Sequence, residues 1–244
     1  MNRPEPFDPM WESPRVSTAP TDDPWKLDYA DIEGEPLHLR NYAVRAYRLD
    51  PERILLRGVV DDRKSGAAWI PWDDATVVMH HMVLDLVVEY PSLVILDARL
   101  MMEAHPHQQC ITIESKYREL IGVSVARGFT HKVREMFGGP RGCTHTTALL
   151  QAMAPVAVQT TWGMAMANRR EAAAAEGRDI SNELPSRSTE EDRQSAVRFS
   201  LNSCHVWDEE GQVVAQLRSG SSFGVPLPIH RRMVQHGIDP TREL

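Results

Sequence analysis

The sequence predicts an α+β fold in which an antiparallel sheet is followed by helices. Between residues 37 and 105, β-branched and aromatic residues alternate with polar ones in four short runs, which is the spacing of half-buried strands. From about residue 113 the apolar spacing changes to that of helices. We therefore predict a single α+β domain over residues 37–220. An extended arm rich in Pro, Asp and Ser precedes it over residues 1–36, and a C-terminal tail follows over residues 221–244.

The four strand-like runs fall into two pairs. LHLRNYAVRAYRLD and ILLRGVVDDRK are separated by Asp50-Pro51-Glu52-Arg53, which predicts an antiparallel hairpin over residues 39–62. TVVMHHMVLDLVVEY and LVILDARLMMEAH form the second pair, joined by the turn Tyr90-Pro91-Ser92.

Three segments have helical spacing. ESKYRELIG and THKVREMFGG each supply about two turns and end in glycine, a common residue just after a helix. A longer helix is expected after Cys143, with Pro155 as a kink. Residues 177–195 are polar and predict a linker, and NSCHVWDEEGQVVAQLRS predicts a C-terminal hairpin around Glu210-Gly211.

Charge and composition exclude several classes of function. The net charge is −7 and Lys and Arg do not cluster, so we expect no nucleic-acid partner. We expect no membrane partner, because no apolar run reaches about 18 residues. The N-terminus lacks the apolar stretch of a secretion signal, and three cysteines do not make a disulfide framework, so a cytoplasmic location is expected. The expected partner is a small-molecule substrate, and a homodimer is left open.

A Cys/His site is the main functional prediction. GGPRGCTHTTALL (residues 138–150) places Cys143 and His145 between a turn and a helix, where the helix dipole favours a thiolate. Two thiolates with one or two imidazoles would suit zinc or iron, so we predict as metal ligands Cys110, Cys143, His145 and either His80 or His81. Strand alternation allows either His80 or His81, but not both, to face the site. The alternative is that these residues only pack, as free cysteines often do.

A catalytic metal also needs an acid or base nearby. The candidates for that role are Lys64, Glu103 and Glu114. Glu114 follows Cys110 by four residues and would share its face if a helix begins there.

Several segments resemble the bacterial domain of unknown function 2889 family over roughly residues 40–218. They are GVVDDRKSG, HHMVLDLVV, Cys110, LIGVSVARGFTHKVREMFGGPRGCTHTTALL, APVAVQT and SCHVWDEEGQVV, and the pattern GGxxGCTH is the most specific of them. The family pattern has His-Asp-Met where this chain has His80-His81-Met82, so the resemblance supports His80 and makes His81 a departure. It also supports Cys110, Cys143 and His145, more weakly Asp62 and Lys64, and it makes Cys204-His205 a recurrent pair.

The order of elements is also similar to that of iron–sulfur scaffold proteins of the SufE/NifU type, which implies a SufE/NifU-like core. In those proteins a ligand beside an early strand precedes a cysteine in a loop and another at a helix start. The function expected from all this is a metal-dependent lyase or hydrolase acting on a small acyl or aromatic metabolite. The alternatives are an iron–sulfur or metal carrier without catalysis of its own, and a purely structural module.

Overall fold

The computed structural model of the chain describes residues 37–126, 128–180, 200–219 and 227–239. The predicted arm over residues 1–36 and most of the predicted linker lie outside these ranges.

A four-stranded antiparallel sheet forms the first half of the domain. Its strands are β1 (His38–Asp50), β2 (Arg53–Ser65), β3 (Thr76–Glu89) and β4 (Ile95–Ala104), and they pair in the order of the sequence. Both predicted strand pairs are therefore confirmed. The turn between the second pair contains a cis peptide bond between Tyr90 and Pro91.

Helices follow the sheet, which confirms the α+β fold class. A 3-10 helix spans Gln108–Leu120, and the α-helices α1 (Phe129–Phe137) and α2 (Thr144–Ala175) come after it. The two α-helices lie in segments predicted to be helical, and the 3-10 helix begins before the predicted segment ESKYRELIG. Pro155 lies inside α2, and the helix continues through it.

One face of the sheet packs against α2. The even-numbered residues of the central strands, including Ile54, Leu56 and Leu84, are fully buried on this face. Gly58 lies among them, and a Cβ added there would be 2.6 Å from Sδ of Met153 on α2. A glycine at this position therefore lets the helix approach the sheet closely.

The opposite face of the sheet holds a buried ion pair. Arg57 donates to both carboxylate oxygens of Asp85 across β2 and β3, at 2.7 Å and 2.7 Å. The side chains of Arg57 and Asp85 are 14% and 6% exposed. Leu55 and Val87 are buried on the same face.

The predicted C-terminal hairpin around Glu210-Gly211 is wrong. A short 3-10 helix (His205–Trp207) and the α-helix α3 (Gln212–Arg218) occupy this segment. Val214 and Leu217 are buried, and a spacing of three residues fits one face of a helix better than one face of a strand. A further helix, α4 (Leu227–Gln235), lies in the segment described above as a tail.

Within the described ranges, every helix is too short or too polar to cross a bilayer.

Candidate metal centre

Three potential metal ligands meet where β2 and β3 run past the start of α2. Asp62 of β2 lies opposite His80 of β3 in the strand register, on the face that packs against the helices. His145 reaches the same point from the first turn of α2. One ligand atom from each residue lies within 4.8 Å of the others. Among the described residues, these three form the group whose side chains could hold a metal ion.

The three side chains are in direct contact. Oδ2 of Asp62 lies 2.8 Å from Nδ1 of His80 and 3.2 Å from Nε2 of His145. The two imidazole rings stack, with their centroids 3.7 Å apart and their planes 28° apart. The side chains of Asp62, His80 and His145 are 1%, 15% and 17% exposed, so the cluster is largely shielded from solvent.

The edge strand β1 closes the cluster on its outer side. Arg40 pairs with Asp62 in the strand register, and its Nη2 and Nε donate to the two carboxylate oxygens at 2.8 Å and 3.3 Å. Nε2 of His38 contacts Oδ1 of the same carboxylate. Nη2 of Arg40 also donates to Nε2 of His145 at 2.8 Å.

The electrostatics favour a charged Asp62 and a neutral His145. Burial acts to raise the pKa of Asp62, but hydrogen bonds from Arg40, His38 and His80 outweigh it and hold the pKa far below its usual value. Burial, with His80 and the positive charge of Arg40, lowers the pKa of His145. A carboxylate and a neutral imidazole are the protonation states in which these side chains bind metals.

The proton of neutral His145 is assigned by its contacts. Because Nε2 accepts a hydrogen bond from Arg40, the ring proton is on Nδ1. Nδ1 lies 3.9 Å from Sγ of Cys143. The sulfur and the carboxylate of Asp62 therefore lie at different nitrogens of the same ring.

The segment before α2 is held in place by Tyr117 and Phe137. The hydroxyl of Tyr117 accepts a hydrogen bond from the amide of Cys143 at 2.9 Å and donates to its carbonyl at 3.3 Å. The rings of Tyr117 and Phe137 stack with centroids 4.6 Å apart. These contacts fix the residue that caps the N-terminus of α2, and with it the direction in which His145 leaves the helix.

Close backbone packing explains why a glycine is needed at position 142, the third glycine of the pattern GGxxGCTH. A Cβ at Gly142 would lie 2.6 Å from the carbonyl oxygen of Phe137 and 2.7 Å from its Cβ. We expect Gly142→Ala to lower the free energy of unfolding by about 1–3 kcal/mol, because the backbone must shift to relieve the contact. Chemical denaturation measures this change. The matched control is Gly163→Ala in α2, where no atom beyond the adjoining residues and the backbone of the helix itself lies within 4 Å of the added Cβ, and a gain of about 0.5–1 kcal/mol is expected. Equal effects of the two changes would contradict the close approach.

The structure brings together two of the four predicted metal ligands. His80 and His145 are in the cluster, and Cys143 lies beside His145 but outside the group. Cys110 is half-buried in the 3-10 helix, where it packs against the hydrophobic core. His81 contacts Asp61 at 3.1 Å, whereas His80 contacts Asp62, so the two histidines face opposite sides of β3.

The three predicted acid–base residues make other contacts. Nζ of Lys64 lies 5.9 Å from the centre of the Trp69 ring, and Glu103 lies 3.5 Å from Nε2 of His81. Glu114 accepts a hydrogen bond from the amide of Met102 at 2.7 Å, which ties the 3-10 helix to β4. Their catalytic roles stay predictions. Cys204, the other cysteine raised by the family resemblance, is exposed.

Sequence reasoning missed Arg40 and His38 and gave Asp62 little weight. The signal that points to them is strand register. His38, Arg40 and Asp62 are all at even positions of a hairpin, and the pairing of β1 with β2 places Arg40 directly opposite Asp62.

The fold and the cluster define an α+β protein with a buried Asp/His/His group that could hold a metal ion. The sequence model of the family described as "Protein of unknown function (DUF2889)" matches residues 38–159, which is half of the 244 residues. The chain belongs to this family, and the matched region contains the whole cluster. Comparison with curated proteins and with solved structures gave no match. The likeness to SufE/NifU-type scaffolds is therefore not confirmed.

Proposed function

We propose that this protein is a metal-dependent enzyme that binds zinc or iron through Asp62, His80 and His145. The observation that carries the proposal is the convergence of these three ligand atoms within 4.8 Å of one another, from three separate elements of the fold. The reaction class we propose is that of a lyase or hydrolase acting on a small acyl or aromatic metabolite.

The number of ligands supports a catalytic rather than a structural metal. Structural zinc sites are closed by four protein ligands, whereas catalytic sites use three and leave a position for water or substrate. A metal with an open position can polarise a carbonyl or activate a water molecule. Both actions suit the cleavage or hydrolysis of an acyl compound.

The kind of ligand supports zinc or iron. Two imidazoles with one carboxylate bind the zinc of several hydrolases and also the iron of non-haem enzymes. The same ligand set speaks against an iron–sulfur carrier, which holds its cluster mainly through thiolates. In the described ranges, neither Cys110 nor Cys143 joins the group.

Cys143 fits a supporting role beside this metal. Metal-bound histidines commonly donate their second ring proton to a neighbouring group, which fixes the ring orientation. Nδ1 of His145 faces the sulfur of Cys143 at 3.9 Å, and Nε2 faces Asp62. We propose that Nε2 binds the metal while Nδ1 donates a hydrogen bond to the sulfur of Cys143.

A second candidate function uses the same three residues without a metal. Cys143, His145 and Asp62 form a chain from thiol to imidazole to carboxylate, with contacts of 3.9 Å and 3.2 Å. This is the order of nucleophile, base and orienting carboxylate found in enzymes that form covalent acyl intermediates. Such a chain needs the ring proton of His145 on Nε2, where it would be donated to Asp62, whereas the contact of Nε2 with Arg40 places that proton on Nδ1. The buried contact between His80 and Asp62 also has no part in the chain, so we favour the metal.

Metal analysis of the untagged protein tests the proposal. We expect about one equivalent of zinc or iron per chain. Cys143→Ala is expected to retain this content, because its sulfur lies at the ring nitrogen that does not face Asp62. This replaces the expectation from sequence alone, in which Cys143 is a ligand and its loss releases the metal.

The outcomes separate the candidates. A protein without metal that is alkylated at Cys143 by iodoacetamide would favour the thiol chain and overturn the metal proposal. Loss of metal from Cys143→Ala would place the thiolate in the ligand set, as the sequence alone predicts.

A further inference from the structure

We propose that Arg40 makes the metal site selective for a ligand that carries a carboxylate, which the metal and the guanidinium bind together. This inference rests on the proposed metal site and adds the chemical class of its substrate.

The first step concerns the nitrogen that Arg40 now occupies. Nε2 of His145 has a single lone pair, and in this structure that lone pair accepts a hydrogen bond from Nη2 of Arg40 at 2.8 Å. A metal bound to Nε2 takes the same lone pair. Loading the metal therefore releases an N–H of Arg40 immediately beside the coordination sphere.

The second step concerns charge. A divalent cation with one carboxylate, neutral imidazoles and one guanidinium leaves an excess of about two positive charges in a largely shielded site. Asp62 is the carboxylate within the cluster, and it is already paired with Arg40. An anionic group on the incoming ligand would offset the excess.

The third step concerns access. The side chain of Arg40 is 33% exposed, whereas those of Asp62 and His145 are 1% and 17% exposed. Arg40 projects from the edge strand β1, so a ligand that enters from solvent meets the guanidinium before it reaches the metal ligands. The planar guanidinium can bind two oxygens of a carboxylate or of a phosphate. We choose the carboxylate because the proposed substrate is a small acyl compound, and phosphate is the competing anion in the test.

The experiment uses the full chain loaded with cobalt(II), whose visible absorption reports changes in its coordination. Benzoate is the carboxylate probe, benzamide is the neutral probe of the same shape, and inorganic phosphate is the competing anion. We expect benzoate to change the spectrum saturably, with benzamide and phosphate much weaker. Arg40→Gln should weaken benzoate binding about 10-fold or more while cobalt stays bound, because a charge-assisted hydrogen bond is lost.

The matched control is Arg48→Gln. Arg48 is on the same face of the same strand but contacts Asn168 and Glu171 near the other end of α2. Its replacement should leave the affinity for benzoate unchanged.

Each other outcome decides between the two proposals. Cobalt bound with equal benzoate affinity in the wild type and Arg40→Gln would overturn this inference and leave the metal proposal standing. Preference for phosphate would overturn the carboxylate class. If Arg40→Gln releases cobalt, Arg40→Lys serves as the second variant, and we expect it to keep cobalt and to bind benzoate with intermediate affinity. Loss of cobalt from both variants would make Arg40 part of the metal site and overturn the inference. Failure of the wild type to bind cobalt would overturn both proposals.

Discussion

Replacing His80 with alanine is expected to reduce bound zinc or iron from about one equivalent per chain to less than about one tenth. His80 is one of the three proposed ligands, its side chain is 15% exposed, and its ring stacks on that of His145 with the centroids 3.7 Å apart. Its loss leaves Asp62 and His145 as the proposed ligands. Metal analysis after dialysis against a weak chelator measures the change.

The adjacent histidine supplies the control for this experiment. His81 faces the other side of β3, where it contacts Asp61 at 3.1 Å and Glu103 at 3.5 Å. We expect His81→Ala to keep its metal. If His80→Ala and His81→Ala lose metal equally, or if neither loses it, the ligand set proposed here is wrong.

Asp85→Ala is expected to lower the free energy of unfolding by about 3–5 kcal/mol. Arg57 donates to both oxygens of Asp85 at 2.7 Å, and its side chain is only 14% exposed. Removal of the carboxylate leaves a guanidinium that is buried between strands without its partner. Urea denaturation followed by circular dichroism measures the change.

Two further variants show whether the loss comes from the unpaired charge. Replacing both residues with apolar ones, as in Arg57→Met with Asp85→Val, should return the stability to within about 1 kcal/mol of the wild type, because no buried charge is left. Lys132→Ala removes an ion pair in which both side chains are 53% exposed, and it should cost less than about 1 kcal/mol. A double variant as unstable as Asp85→Ala would show that packing, rather than charge, sets the loss.

Most of the fold could be predicted from local spacing. Alternation over two residues marked all four strands, and the short connection within each pair predicted two antiparallel pairs. The C-terminal segment failed because QVVAQL fits both spacings over so few residues, and only the buried positions of Val214 and Leu217 distinguish them.

The candidate site was predictable in part. His80 and His145 stand out in the sequence as potential ligands, whether or not their partners are known. Asp62 and Arg40 look like ordinary charged residues of a strand, and their importance depends on register. A shift of one residue in the register between β1 and β2 would place Arg40 opposite a neighbour of Asp62 instead of opposite Asp62 itself. The sequence does not tell a half-buried cysteine such as Cys110 from a ligand, and its role as a ligand stays a prediction.

Helix α2 is attached to the edge strand near both of its ends. Arg40 contacts His145 in its first turn, and Arg48 contacts Asn168 at 3.0 Å near its last turns. Asn168 also donates to the carbonyl of Pro51, just after β1. Complete separation of β1 from the sheet therefore breaks contacts near both ends of the helix as well as the pairing with β2. We therefore expect local opening of this edge to be cooperative, with hydrogen exchange along β1 that is slower than in an edge strand held only by its neighbouring strand.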